Sequence, residues 1–211
     1  MTSRRENWNQ VYRARGEAAG AGALSGSDPE ETLRYHDLTL RPGMVVLDIG
    51  VGMGYAARYY AEHGCTVDAL DVSDLAAEVV RLWTRKVYLH DDLETLPAGA
   101  YDLAVSHLVA QHMDEPELLR QVKAVAKALK PGGIFSVHLA GSRRAEENNW
   151  TEPGIPSGFD GRMCRTEEYA VKLFRKALGK HYRVGPAGEV KEWPEFASYW
   201  HYIHVERKPE P

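Results

Sequence analysis

Val45-Val46-Leu47-Asp48-Ile49-Gly50-Val51-Gly52-Met53-Gly54-Tyr55 is the stretch that decides how this chain folds. Apolar residues, most of them β-branched, run to Ile49 with Asp48 as the one interruption, and three glycines then follow at a spacing of two. The pattern predicts a strand, a tight glycine turn and a helix over about residues 55–63. Glycine tolerates positive φ and lets a ligand approach the backbone, and the helix presents free N–H groups to that ligand.

The same alternation continues through the middle of the chain. Apolar runs predict further strands over residues 65–70, 87–89, 101–106 and 134–139, with helices over about 74–84 and 115–129 and a loop over 93–99. Strands that alternate with helices form a parallel sheet with right-handed crossovers, which binds its ligand at the carboxyl ends of the strands. The glycine turn lies at the end of the first strand, and Ser106 to Met113 at the end of the fourth.

The N-terminal part differs from this core. Trp8 and Tyr12 fall at helical spacing, and a glycine- and alanine-rich connector over residues 16–29 follows them. Residues 1–30 are therefore predicted to form an arm or flexible flap, and residues 31–211 a single domain.

The C-terminal part contains a polar segment over residues 141–165, which is long enough to predict a functional or disordered loop. Thr166 and Gly179 are expected to cap a helix between them, and strands over 182–185 and 197–206 to pair antiparallel. His201 and His204 alternate with apolar residues, so we expect them to face solvent or a helix.

Composition narrows the function. The chain has 211 residues, 44% of them hydrophobic, and a formal net charge of −4, which does not favour nucleic-acid binding. Cys65 and Cys164 have no metal-ligand spacing, so we predict free thiols and no metal site. The sequence lacks an apolar run of about 18 residues and a signal-peptide pattern at its start. We expect a cytoplasmic protein, monomeric or homodimeric, with no membrane partner.

The glycine turn does not fit a dinucleotide. A dinucleotide turn carries a third glycine three positions after the second, where this chain has Tyr55. Asp48 would also repel a pyrophosphate, whereas its carboxylate suits a ligand that carries an ammonium or sulfonium cation. The alternative is a strand, turn and helix whose glycines bind no ligand. Asp48 before the turn and Asp71 at the end of the second strand disfavour this alternative.

Five segments together resemble the class I S-adenosylmethionine-dependent methyltransferases, over roughly residues 44–140. They are the glycine motif at 46–54, Asp71, the Asp92-Leu93-Glu94-Thr95-Leu96-Pro97 segment, the strand at 101–106 and Leu129-Lys130-Pro131-Gly132-Gly133. The resemblance implies an α/β fold: a Rossmann-like, doubly wound, seven-stranded sheet that is mostly parallel with an antiparallel last strand. It also implies S-adenosyl-L-methionine as cofactor, S-adenosyl-L-homocysteine as product, and an acceptor pocket built by residues 141–165.

The resemblance assigns cofactor roles residue by residue. Gly50, Gly52 and Gly54 would let the backbone pass the methionine part, and Asp71 would accept both ribose hydroxyls. The remaining cofactor residues are Val72 against the adenine, Asp92 and Leu93 beside its amino group, Asp48 as an organiser of the loop and the ammonium, Tyr12 on the carboxylate, and Ser106 at the end of the fourth strand. For Tyr12 a surface helix anchored by Trp8 is an equally weighted alternative, and Asp91 leaves the position of Asp92 open by one residue.

Two histidines after the fourth strand are the catalytic candidates. His112 matches the histidine of the family's motif here, and imidazole can take a proton near neutral pH. A base role and a purely structural role stay open for His112, and a structural role is favoured for His107. Arg143, Arg144 and Arg165 could read an anionic acceptor, with solvated loop charges as the commoner alternative.

The sequence leaves three functions in competition. The first is methyl transfer to an oxygen or nitrogen atom of a small molecule such as a sugar, an amino acid or a natural-product-like metabolite. The second is methylation of RNA or protein, and the third is a non-catalytic module that binds S-adenosylmethionine. The acidic net charge and the sequence Ser106-His107-Leu108-Val109, where base-methylating enzymes carry an Asn/Asp-Pro-Pro-aromatic segment, favour the first.

Overall fold

The fold is described by a computed structural model over residues 5–13, 28–142, 150–151, 163–193 and 198–209. Its helices are α1 over residues 5–13, α2 (Pro29–Tyr35), α3 (Tyr55–Glu62), α4 (Asp74–Val79), α5 (Glu115–Ala128) and α6 (Glu167–Leu178). Its strands are β1 (Val45–Ile49), β2 (Thr66–Asp71), β3 (Lys86–Leu89), β4 (Tyr101–Ser106), β5 (Leu129–Ser142), β6 (Trp150–Thr151), β7 (Met163–Cys164), β8 (Tyr182–Trp193) and β9 (Ser198–Arg207).

The described strands build a seven-stranded sheet in the order β3-β2-β1-β4-β5-β9-β8. The first five strands in this order pair in parallel, whereas β9 runs antiparallel to both β5 and β8. The predicted α/β fold with a mostly parallel, seven-stranded sheet is confirmed. The strand order reverses between β1 and β4, so the carboxyl ends of these two strands open a crevice.

Local sequence signals account for the ends of the long helices. Asp114 accepts a hydrogen bond from the Glu117 N–H and forms a capping box at the start of α5. The Thr166 side chain caps α6 by accepting a hydrogen bond from the Tyr169 N–H, and Gly179 ends the helix with φ of 69°, as the sequence predicts. Buried apolar residues form two clusters, one that includes residues of α5 and α6 and one that includes residues of α2 and α3.

Several predicted boundaries are wrong. The predicted loop over 93–99 begins inside a 3-10 helix, His90–Thr95, and α4 ends at Val79 before a short 3-10 turn. β5 begins at Leu129, so the predicted glycine turn over residues 130–133 lies inside this strand. The register between β4 and β5 shifts there, between Tyr101 and Leu103 of β4. β8 continues to Trp193, well beyond residue 185.

The C-terminal histidines also differ from expectation. His201 is fully buried, and its Nε2 atom lies 2.8 Å from the main-chain oxygen of Arg165. His204 is half-buried. Of the two expected surroundings, solvent or a helix, solvent is excluded for His201, because the main chain at Arg165, just before α6, lies against its ring.

The predicted connector and acceptor loop lie mostly outside the described residues, at 14–27, 143–149 and 152–162. The ends of the loop are described: β5 extends to Ser142, and β6 pairs with β7. The domain boundaries remain predictions. None of the described helices is both long and apolar enough to cross a lipid bilayer.

Candidate functional site

An open cavity lies at the carboxyl ends of β1, β2 and β4. It forms there because Ile49 pairs with both Leu70 and Ser106, which brings three loops to one point. Eight of the predicted site residues line it: Tyr12, Asp48, Gly50, Gly52, Asp71, Val72, His107 and His112.

The glycines of the loop serve two different purposes. Gly50, Gly52 and Gly54 all have positive φ, at 72°, 54° and 80°. Gly50 and Gly52 line the cavity, whereas a Cβ at Gly54 would lie 2.7 Å from the Val80 side chain. Gly54 therefore allows α3 to pack closely and does not itself line the cavity, so its role at the cofactor stays a prediction.

Asp71 holds the glycine loop. One carboxylate oxygen accepts from the Gly52 N–H at 3.0 Å and the other from the Ser73 N–H at 2.9 Å. Burial raises the pKa of Asp71, and backbone N–H groups, including those of Ser73 and Gly52, partly oppose that rise. The carboxylate joins the ends of β1 and β2 and still lines the cavity.

Asp48 lies beneath the loop, and its carboxyl group is nearly buried. Burial raises its pKa to about 7, with the charge of Asp71 adding to the rise and the Ala57 N–H opposing it. Its Oδ2 atom has no hydrogen-bond partner among the described residues. A buried acceptor of this kind favours a donor or a cation in the cavity.

Helix α1 covers one side of the cavity. The Asn9 Oδ1 atom accepts from the Ser73 hydroxyl at 2.6 Å, and this bond anchors the helix at the end of β2. Trp8 contacts His112 edge to face at 5.3 Å, and Tyr12 points at the glycine loop, 3.4 Å from where a Cβ of Gly52 would be. Burial, with the nearby charge of Asp71, raises the pKa of Tyr12 and keeps its hydroxyl protonated.

His112 lies in a 3-10 turn, Ala110–His112, directly before α5. The Gln111 Nε2 atom lies 3.3 Å from the Leu108 carbonyl oxygen and 3.3 Å from His112 Nε2. The Leu108 carbonyl oxygen can only accept, so the NH₂ group of the Gln111 side chain must face it. The same NH₂ group then donates to His112 Nε2. Neutral His112 then carries its proton on Nδ1.

Four predicted cofactor residues do not line the cavity. Besides Gly54, these are Asp92, which is exposed, and Leu93 and Ser106, which are fully buried. The 3-10 helix after β3 turns Leu93 into the core and Asp92 outward. His90, at the start of that helix, lines the cavity instead.

The prediction that Arg165 binds an anionic acceptor is corrected by the position of its side chain. Its side chain is only 1% exposed and donates to the carbonyl oxygens of Ala110 and Met113 at 3.3 and 2.7 Å. Arg165 therefore supports the turn that carries His112 and does not face an acceptor. Arg143 and Arg144 lie outside the described residues.

Two lining residues carry polar groups that the sequence reasoning missed. His90 lies one residue before the acidic segment that drew attention, and Gln121 lies on the otherwise apolar face of α5. Both amide atoms of Gln121 are buried and have no partner among the described residues. A polar residue at a core position of an amphipathic helix was the signal available in the sequence.

The cavity is acidic. Asp48 and Asp71 are its carboxylates, and no lysine or arginine appears among the described residues that line it. Two carboxylates without a cation disfavour a phosphate or pyrophosphate ligand and favour a ligand with a positive end.

Comparison with known proteins agrees with this geometry. Residues 47–137 match a family model described as a methyltransferase domain. An uncharacterized methyltransferase of Synechocystis is 32% identical over 54% of this chain and 55% of its own length. The malonyl-[acyl-carrier protein] O-methyltransferase of Serratia marcescens is 34% identical over 66% of this chain and 55% of its own length. The chain thus spans about half the length of these curated relatives.

Solved structures share the fold at low sequence identity. The 1,6-didemethyltoxoflavin-N1-methyltransferase of Burkholderia thailandensis superposes with a TM-score of 0.61 and 17% identity, over 99% of this chain and 92% of its own. Phosphoethanolamine N-methyltransferase 2 of Haemonchus contortus, in complex with S-adenosyl-L-methionine, has a TM-score of 0.69 and 17% identity, over 100% of this chain and 61% of its own. At this identity the likeness shows the fold alone.

Proposed function

We propose that this chain, whose residues 47–137 match the methyltransferase family model, is a class I methyltransferase that transfers the methyl group of S-adenosylmethionine to an oxygen or nitrogen atom of a small molecule. The observation that carries the proposal is the acidic cavity at the glycine loop. The described residues that line it supply two carboxylates and no cation. This charge pattern fits a cofactor with a sulfonium and an ammonium group and does not fit a dinucleotide.

The residues of the site fit that cofactor in three respects. The buried Asp48 Oδ2 atom lacks a partner among the described residues, and a cationic donor would satisfy it. Gly50 and Gly52 expose main chain at the cavity wall with positive φ. Each carboxylate oxygen of Asp71 accepts one backbone N–H, from Gly52 or from Ser73. The remaining lone pairs can accept hydrogen bonds from a pair of hydroxyls in the cavity.

The bound cofactor would supply the activated methyl group, because a sulfonium carbon is a strong electrophile. The protein then has to hold the acceptor in line with that carbon and exclude water. Helix α1 contributes to both tasks, since Trp8 packs on His112 and Tyr12 lies against the glycine loop. His112 and His107 line the cavity as the polar groups that follow β4.

A small acceptor is favoured over RNA or protein. Helix α1 is anchored across the cavity at Ser73 and His112, which limits the room for a macromolecule. A ubiquinone biosynthesis O-methyltransferase of Vibrio parahaemolyticus is 33% identical to this chain, over 43% of this chain and 41% of its own length, and its name indicates a small-molecule acceptor. Arg165 is committed to main-chain carbonyls, so Arg143 and Arg144 are the remaining predicted readers of an anionic acceptor.

Calorimetry with S-adenosylhomocysteine tests the cofactor, with NAD as the matched control ligand. We expect binding of the former and none of the latter; preference for NAD would reject the proposal. A labelled-methyl screen over sugars, amino acids, phenols and tRNA tests the acceptor. Transfer to tRNA but to none of the small molecules would reject the small-molecule assignment, and cofactor binding without transfer to any acceptor would favour a non-catalytic module.

A further inference from the structure

Two acidic side chains lie beneath the glycine loop, at the carboxyl ends of neighbouring strands. Asp48 in β1 and Asp71 in β2 are each only 6% exposed, and both line the cavity. No lysine or arginine is among the described residues of the cavity wall. Two buried carboxylates that share a site without a counter-ion are not both charged, because desolvation and mutual repulsion oppose it. One of the two therefore holds a proton in the ligand-free protein.

Hydrogen bonds from the main chain indicate which group holds that proton. Asp71 accepts from the Gly52 N–H at 3.0 Å and from the Ser73 N–H at 2.9 Å, and both bonds stabilise its charged form. The Oδ2 atom of Asp48 has no partner among the described residues. Burial, the charge of Asp71 and the opposing Ala57 N–H together place the pKa of Asp48 at about 7. Asp48 is thus the protonated member, in about half of the ligand-free molecules at pH 7.

The other groups packed around Asp48 come from α3, α1 and β4. On α3, Tyr60 is fully buried, and burial, with the charge of Asp48 as the next cause, raises its pKa and keeps its hydroxyl protonated. On α1, burial and the charge of Asp71 raise the pKa of Tyr12 in the same way. On β4, the apolar Val105 pairs with Asp48. None of these three residues brings a charge to Asp48, so the charge it faces is the negative one of Asp71.

We propose that Asp48 selects the cofactor by exchanging its proton for the positive charge of the ligand: Asp48 is neutral in the ligand-free protein and becomes a carboxylate when a ligand with an ammonium group binds. The inference rests on the proposed function. No bond of the ligand changes in this step, and one proton passes from the carboxyl group to solvent. Direct contact is not required, because a charge acts over several ångströms and is weakly screened in a buried site.

The exchange makes Asp48 a residue that determines specificity for charge. A cation in the cavity favours the carboxylate over the neutral acid and so lowers the pKa of Asp48. By linkage, the ionised form of the site binds the cation more tightly than the neutral form does. A neutral nucleoside gains nothing from this ionisation, and a pyrophosphate is repelled by it.

Linkage also fixes the sign and the size of the pH dependence. With a pKa near 7 in the ligand-free protein and an ionised Asp48 in the complex, S-adenosylhomocysteine should bind roughly 25-fold more tightly at pH 7.5 than at pH 5.5. A histidine of the cavity wall that gains a proton would add to this trend by repelling the cation; these histidines are His90, His107 and His112. Asp48→Asn separates the two causes, because asparagine keeps the shape of the side chain and cannot ionise.

Titration calorimetry of the full chain counts the protons directly. S-adenosylhomocysteine, which has an ammonium group and a neutral sulfur, is titrated at pH 6 in two buffers of different ionisation enthalpy, MES and imidazole. We expect about 0.9 proton released per ligand by the wild type and close to none by Asp48→Asn, from a pKa near 7. Equal release by the two chains, or binding to the wild type without release, would overturn the inference and leave the proposed function intact. Failure of S-adenosylhomocysteine to bind would reject both.

A matched ligand repeats the test with the wild-type chain alone, so the outcome does not depend on the folding of a variant. 5′-Deoxy-5′-methylthioadenosine keeps the adenosine and the sulfur of S-adenosylhomocysteine and lacks the ammonium group. We expect it to bind without proton release and with the same affinity at pH 5.5 and pH 7.5. If it released as many protons as S-adenosylhomocysteine, Asp48 would be responding to occupancy of the cavity and not to charge, and the proposal would be wrong.

The affinities of the two ligands for Asp48→Asn give a further readout. At pH 8 the variant should bind S-adenosylhomocysteine roughly 10- to 100-fold more weakly than the wild type does, because a charge pair in a partly buried site is lost. Its affinity for 5′-deoxy-5′-methylthioadenosine should be unchanged. An equal loss for both ligands would mean that Asp48 only holds the glycine loop, and would reject its role in charge selection.

Discussion

Replacing Asp71 with asparagine should weaken both the glycine loop and cofactor binding. The carboxylate accepts from Gly52 at 3.0 Å and from Ser73 at 2.9 Å. Asparagine has one acceptor oxygen, so its NH₂ group must face one of these two N–H donors. Leaving a buried donor without a partner costs roughly 1–3 kcal/mol. Part of this destabilisation is offset, because burial already disfavours the charged form of Asp71 and raises its pKa.

The net loss of stability in Asp71→Asn should be about 1 kcal/mol, which lowers Tm by about 2–4 °C in a chain of this size. The loss for S-adenosylhomocysteine should be larger, because the variant also loses acceptor capacity for the ribose hydroxyls. A deficit of roughly 1–3 kcal/mol corresponds to a Kd weakened about 5- to 150-fold. Differential scanning calorimetry measures the first quantity and titration calorimetry the second.

Asp92→Asn is the matched control, since it makes the same chemical change at an exposed carboxylate outside the cavity. An exposed substitution of this kind should change stability by less than about 0.5 kcal/mol and leave the affinity unchanged. The reverse result, weak binding in Asp92→Asn and normal binding in Asp71→Asn, would refute the cavity assignment. It would place the cofactor where the sequence motif alone puts it.

Three further predictions concern buried polar groups. The pKa of Asp48 is about 7 in the folded chain and therefore higher than in the unfolded chain, so only the folded chain holds this proton between about pH 4 and 7. The free energy of unfolding should therefore fall as the pH rises through that window. Asp48→Asn should remove this pH dependence, which urea titrations at several pH values measure. Gln121→Leu replaces an amide without described partners, so thermal melts should show stability equal to or above wild type, by roughly 1–3 kcal/mol at most, and a clear loss would mean that the amide is satisfied. Arg165→Met removes two hydrogen bonds to the turn before α5 and should cost roughly 2–4 kcal/mol in chemical denaturation, a figure that an unchanged midpoint would contradict.

The sequence by itself determined the framework of the fold and half of the site. Alternating apolar runs predicted the parallel strands, and the glycine spacing predicted a turn with positive φ at Gly50 and Gly52. Asp71 could be located because it ends a strand beside that turn, so its position follows from local geometry. The caps at Thr166 and Gly179 are local signals for the same reason.

Only the tertiary structure decided where the remaining polar side chains point. The motif after β3 predicted Asp92 at the ligand, but the direction of a 3-10 helix turned Asp92 outward and left His90 at the cavity. Arg165 was predicted to read an acceptor, but the fold places the carbonyl oxygens of Ala110 and Met113 beside its guanidinium group. A pattern of residue types specifies a turn, but it does not specify which distant chain segment will lie next to that turn.

The pairing of His36 with His107 is the clearest case. His36 Nε2 lies 3.0 Å from His107 Nδ1 although the two residues are 71 apart in the sequence, and His36 Nδ1 lies 2.7 Å from the hydroxyl of Ser136, which is 100 residues from His36. No local periodicity links a residue after α2 to one after β4 and one inside β5. Sequence spacing fixed the strand ends and the glycine loop because these depend on neighbouring residues. The row of hydrogen bonds behind the cavity depends on sheet order, which brings β4 and β5 side by side, and on the packing of α2 against them.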